Sequence, residues 1–119
     1  MHFLFSISRF PLLSLIHARG EMDDRGAHLL LEGGEGELQN SRYLVVDVSR
    51  VTAIAGPGLK TLVSLGATAT RRGGWTWTTS PSPAVRRALA ESGLDGSLSA
   101  GLSTRTVCRE LAGGWYRPV

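Results

Sequence analysis

The sequence predicts an α/β fold in which about four helices pack on a mixed sheet of about four to five strands. Two observations lead there. Short β-compatible apolar runs alternate with segments of helical period, and the apolar run Tyr43-Leu44-Val45-Val46-Asp47-Val48 leads through a glycine–proline stretch into an amphipathic segment. A continuous run of this kind suits an inner strand covered on both faces, and the alternation of strands with helices calls for helical crossovers. At 119 residues the chain has the length of one domain with one hydrophobic core, and residues 1–119 read as a single unit.

Phe3 to Ser8 and Leu12 to Ala18 are apolar and β-compatible, and Phe10-Pro11 breaks them into an opening strand pair. A turn is expected at Gly20, followed by a helix with Asp23 or Asp24 as N-cap and Ala27, Leu30, Leu31 and Leu38 at roughly helical spacing. Gly33, Gly34 and Gly36 each cost about 1 kcal/mol relative to Ala, so this helix is expected to be short or frayed. The valine-rich strand occupies the middle of the sheet. In the next segment Leu59, Leu62, Val63 and Gly66 form the predicted buried stripe, with Lys60, Thr61, Ser64 and Thr68 facing away. Gly56 is the expected N-cap and Pro57 the first helical residue, where its missing N–H costs nothing.

Arg71 to Ser80 reads as a turn and a strand with Trp75 and Trp77 on one face and Thr76 and Thr78 on the other. The tryptophan pair is expected to pack against the domain's own side chains in preference to stacking on bases. Ser82 caps a helix that Pro83 starts and that buries Val85 and Leu89, and Gly93 with Leu94 closes it as a Schellman motif. After a connection at Ser97 to Ala100, with room for a short strand, Ser103 caps a last helix, and Leu102 and Val107 are placed as a hydrophobic staple. That helix is expected to run to about Ala112. Beyond it, Trp115 and Tyr116 either dock back or mark a contact site.

Composition narrows the function classes. The formal charge of +3 comes from scattered arginines, so direct nucleic-acid binding is not expected. Cys108 is the only cysteine, which excludes an internal disulfide framework and a multi-cysteine zinc site and fits a cytoplasmic setting. Its expected role is that of a small apolar residue on a helix. His2, His17 and His28 lack paired metal-ligand spacing. The opening segment is interrupted by Arg9 and Pro11, has no basic residue ahead of its apolar part and falls short of the about twenty apolar residues of a membrane span, so neither a secretion signal nor a membrane anchor is expected.

The stretch Ala55-Gly56-Pro57-Gly58-Leu59-Lys60 lies where a strand meets a helix, the setting in which backbone N–H groups bind phosphate. Its details argue against a nucleotide enzyme. Leu59 separates Lys60 from Gly58, so the ammonium is out of register for a Walker loop, and only Pro57 lies between glycines that such a loop spaces further apart. Thr61 stands where a dinucleotide fingerprint has its third glycine. No paired acid and base, no Ser/His/Asp arrangement and no metal-spaced cluster supports catalysis, and Asp47 within its strand is as readily structural as basic. A ligand- or nucleotide-binding module using the N–H groups of Gly58 and Leu59 is the alternative to a protein-binding surface.

Three stretches together carry a family resemblance: GEMD at residues 20–23, LVVDVSRVTAIAGPGLKTL at residues 44–62 and PSPAVRRALAESGLDG at residues 81–96. They resemble, in order and spacing, the STAS domain of bacterial anti-sigma factor antagonists, whose members show G-E-[LI]-D, then D-[LV]-S, then I-D-S-S-G-[LVI], then P-x-x-x-[RK]-x-L-x-x-[ST]-G-L. The resemblance implies a STAS-like single domain and a cytoplasmic regulator of sigma-factor-dependent transcription, without cofactor or metal. Its implied partner is an anti-sigma factor, a serine-protein kinase with a histidine-kinase-like ATPase fold, and its implied partner-binding residues are Ala55, Gly56, Pro57, Gly58, Leu59 and Lys60. The departure lies in the same loop: Pro57 occupies the position of the family's phosphorylated serine. Phosphate there adds about two negative charges and breaks a packed contact by repulsion, and proline has no hydroxyl to accept it.

Overall fold

The computed structural model describes residues 2–94, 96 and 98–115, with side chains through residue 111. Its elements run β1 (Leu4–Phe10), β2 (Leu13–Met22), α1 (Asp24–Leu38), β3 (Tyr43–Ile54), α2 (Gly56–Arg71), β4 (Trp75–Thr79), α3 (Pro83–Ser92) and α4 (Thr104–Trp115). One mixed sheet of four strands takes the order β1-β2-β3-β4, with β1 antiparallel to β2 and the remaining pairs parallel. Each parallel step is bridged by a helix, α1 between β2 and β3 and α2 between β3 and β4, as parallel pairing demands. No fifth strand forms at residues 98–100 among the described residues; the carbonyl of Leu98 instead accepts from the Thr78 N–H on the edge of β4 at 3.2 Å.

Two layers cover the sheet. Ile16, Ala18, Leu44, Val46 and Val48 face α1, α2 and α3 in the larger core, while Leu13, Leu15 and Val45 face Val107 of α4 on the other side. This explains why the valine run is continuous: Val45 and Val46 are both fully buried, on opposite faces. No helix among the described residues is long and apolar enough to cross a membrane.

Several local expectations are corrected. Gly20 does not turn the chain; β2 continues to Met22, and Gly20 sits at φ +94° beside a shift in the β2–β3 register. The left-handed backbone that a side chain resists is here spent on a strand irregularity. Helix α1 is neither short nor frayed and spans 15 residues, capped by Asp23, whose carboxylate accepts from the Gly26 N–H at 2.8 Å. Its glycines are contact points: a Cβ at Gly33 would lie 2.7 Å from the Phe5 ring and one at Gly34 2.6 Å from Leu65. Close approach to β1 and α2 offsets the helix propensity they sacrifice.

Helix α2 is rotated from the predicted phase. Gly58, Thr61, Leu62, Leu65 and Ala69 are buried, whereas Val63 is 39% exposed and Gly66 is half-buried. Thr61, expected outside, is buried because its hydroxyl donates to the Ala27 carbonyl of α1 at 3.1 Å. The N-cap is Ala55, one residue earlier than expected, so Pro57 is the second helical residue and still falls where no N–H is needed. Trp77 packs against Tyr43 with ring centroids 5.9 Å apart, but Trp75 is 45% exposed. Ser103 caps α4 by accepting from the Thr106 N–H, whereas Leu102 is exposed and forms no staple. The end of α3 follows expectation, with Gly93 at φ 72° and the N–H groups of Gly93 and Leu94 both on the Leu89 carbonyl. Helix α4 continues to Trp115, beyond the expected end at about Ala112; Ser97 and Tyr116 lie outside the described residues, and the Trp115 side chain outside the described side chains.

One ion pair pins the hairpin to α1. Arg9 donates to both oxygens of Glu37 at 2.9 and 2.8 Å, and Ser14 donates to one of them at 2.7 Å. Hydrogen bonds from Arg9 hold the Glu37 carboxyl below its ordinary value of 4.5 against its burial, with help from Ser14 and from the charge of Arg9. A lowered folded-state value means stability that is full above the ordinary value and is lost as pH falls through the folded one. The natural chain is therefore expected to lose melting temperature more steeply than Glu37→Gln on acidification below about pH 4.5. Melting curves of both proteins across that range check it; parallel slopes would show that the pair contributes nothing.

Candidate functional site

The junction of β3 and α2 is built outward from the core. The Ala55 N–H donates to the Met22 carbonyl at 3.2 Å, fixing the end of β3 beside β2. Gly58 is buried, and a Cβ there would lie 2.8 Å from Ile54 and 2.9 Å from the Met22 sulfur, so glycine lets the first helical turn press onto the strand ends. Leu59 is half-buried against the main core. Ala55, Gly56, Pro57 and Lys60 are exposed on the outer side of that turn. The six residues thus divide into an anchor, Gly58 and Leu59, and an exposed ridge that carries one cation and no carboxylate in the first turn of the helix.

This geometry corrects the anion-cradle alternative. The N–H groups of Gly58 and Leu59 are not free: both donate to the Ala55 carbonyl, at 2.9 and 3.3 Å. Pro57 has no N–H. Phosphate binding at a helix start relies on several convergent donors, and this one retains Gly56 alone among its first four residues.

Two other features have roles different from catalysis. Asp47 is tied into the structure: its Oδ1 accepts from the Ser49 N–H at 2.9 Å and hydroxyl at 2.7 Å, and its Oδ2 accepts from Thr104 at 2.7 Å. Burial works against its charge, but these bonds and the nearby His17 outweigh it and hold the carboxyl below the ordinary range. Thr104 also reaches Thr79 and Ser80, so this network fastens the start of α4 to the sheet. The pairing was not legible beforehand because Asp47 and Thr104 lie 57 residues apart. Cys108 packs on the smaller core, and burial, then the charge of Asp47, pushes its thiol up, away from the reactive thiolate.

The family model described as Mlab, STAS domain matches residues 13–103. The chain belongs to the STAS family. No curated protein sequence matches it. Among solved structures, this STAS domain is similar to an anti-sigma factor antagonist from Mycobacterium paratuberculosis, at TM-score 0.81 and 20% identity, covering 93% of this chain and 95% of that one. It is similar to the anti-sigma factor antagonist SpoIIAA in its unphosphorylated form, at TM-score 0.80 and 16% identity over 92% and 97% of the two chains. The same fold occurs in SLC26A9, at TM-score 0.60 and 14% identity over 88% of this chain but 21% of that one. These likenesses show the fold and leave the roles of individual residues to the geometry of this chain.

Proposed function

We propose that this STAS domain is a non-enzymatic, cytoplasmic regulator that binds an anti-sigma factor of the histidine-kinase-like ATPase type through residues 55–60, without a phosphorylation switch at residue 57. The supporting observation is the exposed start of α2, anchored by Gly58 and Leu59, where Pro57 is exposed at the position that the family resemblance assigns to serine. A fixed ridge of small residues with Lys60 beside it offers a preorganised surface at low ordering cost. Of the neighbouring hydroxyls, Thr61 is 6% exposed and engaged with Ala27, so it is closed to a kinase, while Thr52 is exposed on β3.

Affinity capture from the source cell is expected to recover an ATPase of that fold, and Lys60→Glu is expected to weaken the capture. Incubation of the complex with ATP is expected to leave residues 52 and 57 unmodified. Recovery of no such ATPase overturns the partner, and stoichiometric phosphate on Thr52 overturns the absence of a switch.

A further inference from the structure

The sheet face beside α4 carries a cleft of ≈ 650 Å³ whose polar lining is Ser6, His17, Arg19, Asp47, Ser49 and Arg50. Pockets for small molecules span about 300–1,000 Å³. Arg19 of β2 and Arg50 of β3 are direct cross-strand partners, and like charges placed opposite one another destabilise a sheet. Neither guanidinium makes a hydrogen bond or ion pair with another described residue. Asp47 lines the same cleft but makes no ion pair with either guanidinium among the described residues; its oxygens accept from Ser49 and Thr104.

Arg50 reaches this face only through an irregularity of β3. Strict alternation would put it on the helix side with Val46 and Val48. The register instead shifts between His17↔Asp47 and Arg19↔Arg50, so Ser49 and Arg50 both turn outward while Val48 and Val51 are both buried. A bulge re-aims a side chain at the expense of ladder hydrogen bonds, and here it aims one cation at another.

We propose that this cleft binds a phosphate monoester, gripped by Arg19 and Arg50 and by the hydroxyl of Ser6. Neighbouring strands lie about 4.8 Å apart, so both guanidinium forks can reach one tetrahedral dianion. A tetrahedral phosphate offers separate oxygens to each guanidinium, which a single planar carboxylate does not. The monoester could belong to a soluble small molecule or to a lipid headgroup, and the experiment separates these sources.

The full chain is titrated with inorganic phosphate and with adenosine monophosphate while backbone amide NMR signals are followed. In parallel it is floated with phosphatidylcholine vesicles with and without phosphatidic acid. Saturable shifts centred on residues 17–19 and 47–50, or flotation that requires phosphatidic acid, are expected. Arg19→Gln and Arg50→Gln should each weaken the response by about tenfold or more. Arg109→Gln, which removes a charge on exposed α4 outside the cleft, should leave it unchanged. Without ligand, Arg50→Gln should melt no lower than the natural chain, because it relieves repulsion. A response to the soluble probes alone assigns a soluble ligand, and a response to vesicles alone assigns a headgroup. No saturable response to any probe, a response that survives both arginine changes, or one that Arg109→Gln weakens equally overturns the site.

Discussion

Ala55→Asp combined with Pro57→Ser is expected to give a protein that binds the cognate kinase, accepts phosphate at residue 57 and then releases its partner. The natural chain is expected to stay bound whether or not ATP is present. Release rests on repulsion and desolvation of about two new negative charges inside a packed contact. Acceptance rests on the position of residue 57 on the exposed ridge, with Gly58 and Leu59 anchoring the turn beneath it. The structure adds a stability readout. Ala55 is the N-cap and makes no side-chain cap bond, and the first turn has no acidic residue. Aspartate at that position opposes the helix dipole and can share the Gly58 N–H with the residue-55 carbonyl, worth about 0.5–2 kcal/mol at an N-cap. Loss of Pro57 removes about 0.4–1 kcal/mol through the unfolded chain, so the double variant should be at least about as stable as the natural one. Pull-downs of both proteins with and without ATP decide the matter, using a partner first shown to bind the natural chain. Dissociation of the natural complex by ATP would place the regulation elsewhere, and a kinase that binds the rebuilt loop without modifying it would refute the assignment of residue 57.

Leu62→Ala is expected to destabilise the fold by about 2–5 kcal/mol, a large fraction of what a domain of this size possesses. Leu62 is 2% exposed in the core shared by α1, α2 and the sheet, and truncation leaves a cavity that packed neighbours fill only in part. Val63→Ala is the internal control. At 39% exposure it is expected to change stability by no more than about 0.5 kcal/mol, although hydrophobic periodicity alone places it in the core. Denaturant unfolding of both variants tests the rotation of α2. An unchanged midpoint for Leu62→Ala, or an equal loss for Val63→Ala, would put the helix in the other phase.

Most of the elements, and the chemistry the loop lacks, are legible in local sequence. Apolar runs of two-residue and helical period, the Asp23 and Ser82 caps, the Gly93 terminator and the missing hydroxyl at Pro57 are local properties, fixed by a few neighbouring residues whatever they later touch. How each face is used depends on contacts between elements far apart in the chain. Thr61 could be buried because Ala27 of α1 supplies an acceptor, and the glycines of α1 could be kept because Phe5 and Leu65 fill their places. Asp47 became structural because Thr104 reaches it from far along the chain. Arg50 turned outward because β3 bulges against β2. Each of these depends on a partner distant in sequence, and burial of a polar or missing side chain is favourable only once that partner is in place.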